Sequence, residues 1–101
     1  MSTLLVQLNW IPARSERVAF RMIDREAVLV DPATGMVNVL NPVGAFVWER
    51  VDGRTPLAVI AEQVEKMFKV SLADALRDVL EFAADLAEKG LVTWTGRRPA
   101  D

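Results

Sequence analysis

Catalysis by this chain would have to rest on hydroxyls, amines and carboxylates, because its 101 residues include no His, no Cys and no Tyr. The absence of His removes the commonest general base and the commonest metal ligand. The absence of Cys removes thiolate chemistry and any disulfide framework. Ser2, Ser15 and Ser71 sit in no G-x-S-x-G or comparable nucleophile setting. No two carboxylates can be placed as an acid–base pair, and no acidic cluster has metal-ligand spacing. The residues therefore predict a domain that is not an enzyme, with no catalytic residue, no metal and no cofactor.

Recognition is the chemistry that remains, and two stretches could supply it. The strand candidate "MVNVL" (36–40) carries no Lys, no Pro and no charge. Left at the edge of a sheet, it would offer unpaired N–H and C=O groups to an incoming peptide. The segment "LADALRDVLEFAADLAEKG" (72–90) has an apolar arc wider than the roughly 100° stripe that a surface helix needs. Leu76, Val79, Leu80 and Ala83 read as core. Ala75, Phe82 and Leu86 read as an outer flank, a wall against which a peptide could lie.

The elements that would hold these stretches follow from periodicity. "VAFRMI" (18–23) and "AVLV" (27–30) alternate as strands around the turn "DRE", and "DPATG" (31–35) is a hairpin loop leading into 36–40. Asn41 then caps a helix that Pro42 starts, with Val43, Phe46, Val47 and Val51 on one face and Gly53 at its end. Gly44, inside its first turns, suggests a close approach. A second helix has Thr55 as cap and Pro56 as first residue, and Ser71 with Asp74 forms a capping box for the third. Gly90 ends the third helix, and "LVTW" returns as a short strand. The predicted class is α+β, a winged helix-turn-helix with a three-stranded antiparallel sheet followed by three helices. Residues 1–17 read as a lead-in: "LLVQLNW" could add a strand, which "IPARSER" breaks at Pro12. Residues 18–95 form the domain, and 96–101 a flexible tail.

A winged helix first suggests DNA. Yet from Leu72 to Gly90 there are five acids against two bases, and the whole chain has a net charge of −2. A DNA reader must neutralise phosphates with Lys and Arg, so the charge argues against nucleic acid.

From Val28 to Val92 the chain resembles the PqqD family, small peptide-binding domains also called RiPP recognition elements. The resemblance is carried by "LNPVGAFVWERVDG", "TPLAVIAEQVEKMFKV" and "DVLEFAADLAEKGLV", in this order and spacing. It implies a peptide chaperone or adaptor in natural-product biosynthesis. Such a protein binds the leader peptide of a ribosomally made precursor by strand addition, and presents it to a modifying enzyme such as a radical-SAM maturase, a cyclase or a protease. On this sequence the implied peptide-binding residues are Met36, Val37, Asn38, Val39 and Leu40 on the strand, with Ala75, Asp78, Val79, Phe82 and Leu86 on the third helix. Ala83 and Ala84 depart from the family, which often has a larger Leu there.

Two other readings compete: a winged-helix DNA-binding regulator, and a structural module whose "LLVQLNW" pairs on a neighbour's open edge to make a homodimer. No stretch approaches the roughly 20 apolar residues of a membrane span, and the start does not read as a signal peptide, so no membrane partner and a cytoplasmic location are expected. Trp48 reads as a core-edge residue, or alternatively as an anchor for a docking enzyme. Arg14, Arg17, Arg21 and Arg25, offset by Glu16, Asp24 and Glu26, read as a solvated face.

Overall fold

Alternation of apolar residues from residue 19 to residue 40 produces a meander of β2 (Ala19–Ile23), β3 (Glu26–Asp31) and β4 (Met36–Leu40) in a computed structural model that describes residues 8–96. The three strands form one antiparallel sheet in the order β2-β3-β4. Ala27, Leu29 and Asp31 of β3 are buried against the helices. Their register partners Leu40, Asn38 and Met36 share that face. The opposite face carries Ile23, Val30, Val37 and Val39, all exposed.

Three helices follow: α1 (Pro42–Glu49), α2 (Leu57–Phe68) and α3 (Leu72–Glu88). The class is α+β, with the three-stranded antiparallel sheet and three helices that the periodicity predicts. A second, two-stranded sheet pairs β1 (Ile11–Arg14) with β5 (Val92–Gly96). The sequence predicts a break at Pro12. Pro12 instead lies inside β1, where the register shifts between Ile11 and Pro12. A proline lacking its N–H is tolerated at such an irregularity. Residues 1–7 of the lead-in and 97–101 of the tail lie outside the described residues.

The helix ends follow their caps, with two corrections. Ser71 accepts a 3.1 Å bond from the Asp74 amide, as the capping pattern predicts. At the other end of α3, the Gly90 amide donates to Ala87 and the Leu91 amide to Leu86, and Gly90 takes φ +77°. This paired arrangement needs the left-handed conformation that glycine adopts freely. α1, however, stops at Glu49 rather than running to Asp52, and Gly53 belongs to the following turn, where its amide bonds the Pro12 carbonyl at 2.9 Å. Thr55 does not cap α2, because its hydroxyl is held by Asp52 at 3.1 Å. The first amides of α2, those of Leu57 and Ala58, donate instead to the carbonyls of Trp10 and Leu8. Residues 8–10 thus satisfy donors that every helix start leaves open.

Trp48 is fully buried, with Phe20 edge-on to its ring at 5.6 Å. This overturns its reading as an exposed anchor. Its burial follows from the helical period, which sets it on the same inward face as the buried Gly44 and Ala45. Arg14 lies over both rings and donates to the carbonyls of Trp48 and Glu49, which closes the end of α1. Arg17 is also structural. It grips the buried Asp31 carboxylate with two 3.0 Å bonds and reaches the Gly90 carbonyl with a third. Only Arg21 and Arg25 keep the solvated role predicted for all four.

Hydrogen bonding to Arg17 holds the Asp31 carboxyl below the ordinary aspartate range. A carboxyl depressed in the folded state contributes stability that is complete above its unfolded pKa, about 4, and is lost as pH falls through the lower folded value. Denaturant midpoints measured from pH 7 downward should therefore be flat to about pH 4 and then decline. Asp31→Asn should lower the plateau and remove most of the decline attributable to this pair. An unchanged acid limb in the variant would show that other carboxyls govern it.

Candidate functional site

The end of β4 meets the start of α1 through a single residue, Asn41. Its side-chain oxygen accepts from the Gly44 amide at 2.8 Å and its carbonyl from the Ala45 amide at 2.8 Å. Pro42 supplies the first helical residue without an orphan N–H. The strand therefore turns into helix with no slack. α1 stands beside the outer edge of β4, which among the described residues pairs with β3 alone.

Across from that edge lies α3, and between them is a groove of about 570 Å³. Its floor and walls are mostly apolar. Val39 and Leu40 come from β4, and Val43, Gly44 and Val47 from α1. Val64 comes from α2, and Val79 and Phe82 from α3. Asn41 also lines it, and the exposed acids Asp78 and Glu81 stand at the α3 rim. Arg77 approaches Asp78 only to 3.9 Å, because Asp74 holds the guanidinium at 2.6 Å. The rim is thus acidic and the interior is oily. A volume of this size suits one or two large side chains.

Five of the sequence-derived site residues, Val39, Leu40, Asp78, Val79 and Phe82, come together at this groove. Met36, Val37 and Asn38 lie on the same open edge, toward the hairpin and outside the groove lining. Ala75 and Leu86 do not line it. They are buried with Val79 and Ala83 in one stripe that packs α3 into the core. The outer-flank reading of Ala75 and Leu86 is corrected accordingly. In a wide apolar arc the spacing alone leaves the rotation of the helix open, and here the stripe falls one position from where it was expected. Phe82 and Asp78 flank that stripe on the groove side. Leu76 and Leu80 are also only half-buried.

Sequence reasoning missed Val43, Val47, Val64 and Glu81 as lining residues. The Asn41–Pro42 signal could have found Val43 and Val47, since a helix started beside the strand must show its first turns to the edge. Val64 carries no such local signal. Gly44 was noticed, and its close neighbours prove to be the Phe82 ring and the Asn41 side chain, each 3.3 Å from where a Cβ would stand. Among the described residues no group of three or more acids, His or Cys is placed to hold a metal.

A free strand edge lying along an apolar groove is the arrangement used by domains that bind extended peptides. The chain belongs to the PqqD family: residues 26–92 match the model described as coenzyme PQQ synthesis protein D. The resemblance read from residues 28–92 is thereby confirmed. Solved structures share the fold. TbiB1, solved in complex with the TbiA(beta) leader peptide, is 28% identical over 88% of this chain and 99% of its own, with a TM-score of 0.73. The PqqD truncation of Methylobacterium extorquens PqqCD, described as a functional and stand-alone RiPP recognition element, is 25% identical over 81% of this chain and 87% of its own, with a TM-score of 0.67. A lasso peptide synthetase B1 complexed with its leader peptide is 23% identical over 82% of this chain and 98% of its own, at a TM-score of 0.74, and shares the fold. No curated protein sequence matches the chain.

The buried stripe of α3 and its groove side should respond differently to truncation. Leu86→Ala should cost about 2–5 kcal/mol, as expected for a fully buried leucine. Phe82→Ala should cost clearly less than the ~3–5 kcal/mol of a buried phenylalanine, since one side of its ring faces the groove. Urea denaturation of both variants checks the order, and a larger loss for Phe82→Ala would place its ring in the core.

Proposed function

We propose that this protein is a peptide-binding adaptor that takes the leader region of a ribosomally made precursor as an added strand on β4, against α3. The observation that carries this reading is the unblocked edge of β4 alongside the apolar groove. Main-chain N–H and C=O groups on that edge would supply affinity, and the groove would supply side-chain selectivity. The TbiB1 complex and the stand-alone Methylobacterium element support the reading, since both are 25% identical or more, the first was solved with a leader peptide bound and the second is described as a RiPP recognition element. The domain itself is not a catalyst on this view. It hands the peptide to a separate modifying enzyme, a radical-SAM maturase, cyclase or protease, in the cytoplasm. We read α2, α3 and the β3–β4 hairpin as a winged-helix arrangement turned from nucleic acid to peptide, since α3 is acidic where a DNA reader is basic.

Two measurements test this. Hydrogen exchange should show protection appearing on alternate amides of Met36–Leu40 when a peptide selected from a displayed random library is added. Successive residues of a strand point their amides to opposite edges, so either Val37 and Val39 or Met36, Asn38 and Leu40 should respond. Protection confined to another surface would sink strand addition at β4. Calorimetry with the same peptide should show Phe82→Ala weakening binding by about tenfold or more, equivalent to about 1.4 kcal/mol. Unchanged affinity would remove the α3 wall from the site.

A further inference from the structure

Gly44 is buried in the first turns of α1, in ordinary helical backbone that any residue could adopt. Glycine weakens a helix relative to alanine, so its presence there calls for a spatial reason. The reason is Phe82. A Cβ on residue 44 would stand 3.3 Å from both Cε1 and Cζ of that ring, inside the usual carbon–carbon separation of about 3.5–4.0 Å. It would stand equally close to the Asn41 oxygen. That oxygen is tied to the Gly44 amide and belongs to the joint between β4 and α1. The Phe82 ring is half-buried at the border of the core and has open space beside it in the groove that it lines, so the ring is the partner that yields.

We propose that the Gly44–Phe82 contact sets which side chain the peptide groove accepts. The missing Cβ lets the Phe82 ring rest against α1. The space kept open beside the ring, walled by Val43, Val47, Val64 and Val79, takes one large apolar side chain, aromatic or branched aliphatic. That side chain belongs to a residue pointing inward from a strand added to β4. Asp78 and Glu81 at the rim disfavour an acidic residue in the same place. Gly44 is thus a specificity-determining residue that acts through the position of an aromatic ring. The inference rests on the peptide-binding reading above.

The test uses a displayed library of random peptides, selected in parallel on the wild-type protein and on Gly44→Ala, Phe82→Leu and the double variant. Wild type should enrich peptides that share one large apolar residue. Gly44→Ala should keep or raise its thermal midpoint, yet bind the wild-type-selected peptide about tenfold more weakly, the scale of a methyl-sized misfit in an apolar pocket. It should enrich smaller residues at the shared position. In the Phe82→Leu background, where the far end of the ring is gone, Gly44→Ala should change affinity by less than about twofold. Wild-type affinity in Gly44→Ala overturns the inference and leaves the peptide-binding reading standing. A tenfold loss that persists in the Phe82→Leu background also overturns it, because the effect then runs through Asn41. Failure of wild type to enrich any peptide removes the peptide-binding reading itself, and this inference with it.

Discussion

The bond from the Gly44 amide to the Asn41 side chain is where the sheet becomes helix, and the groove is built on it. A looser connection would let α1 swing relative to β4. With one residue as the joint, the strand edge and the first two turns of the helix form a single rigid corner. α3, packed chiefly on α2 and β5 and buried along the stripe of Ala75, Val79, Ala83 and Leu86, brings Phe82 against that corner at Gly44. The far end of β4 is pinned by a second side chain of the same kind. Asp31 accepts from the Ala33 amide in the hairpin loop at 2.9 Å while its carboxylate is clamped by Arg17. The strand is thus held at both ends by local side-chain bonds, and among the described residues one of its two edges has no partner strand.

That freedom has a cost in solubility terms. Val37 and Val39 are 59% and 64% exposed on an uncharged edge strand, the kind of segment that most proteins shorten, charge or cover. A lysine there would be the simplest protection, and it would also deter an added strand. The exposure is intelligible if the edge is meant to be covered by a partner strand. The buried part of the molecule carries the stability that offsets it: Trp48, Leu29, Leu57, Ile60 and Leu86 are all essentially inaccessible to water. The indole N–H of Trp48 finds no acceptor among the described residues, a burial penalty of about 1–3 kcal/mol that the packing of so large a ring outweighs.

Local signals made the meander legible. The β-branched alternation of residues 36–40 bounded by "PATG" and Asn41 gave β4 to the residue, and Ser71 and Gly90 marked both ends of α3. What could not be read was settled at long range. Nothing near Thr55 says that α2 will be capped by carbonyls from residues 8 and 10. Nothing near Pro12 says that a strand will form there, because its partner lies some eighty residues away in β5. The site was legible to the same degree. The strand edge and the α3 wall could be named, but the rotation of α3 could not. A helix with apolar residues over so wide an arc has several nearly equivalent faces. The choice among them is made by the sheet and α2, which take Ala75 and Leu86 inward and leave Phe82 beside Gly44.

The β1–β5 pairing bears on how such a domain can be carried. It sets Ile11 opposite Gly96, so the last described residue lies beside a strand that begins three residues after the first. Cα atoms paired across an antiparallel ribbon lie only about 5 Å apart. A body whose first and last strands lie side by side tolerates splicing into a surface loop of another protein, with little entropy lost in closing the connection. The ribbon shares no strand with the meander that bears the open edge. The paired first and last strands and the candidate edge are therefore separate parts of the molecule, as in a tool whose handle can be changed while its jaw stays the same.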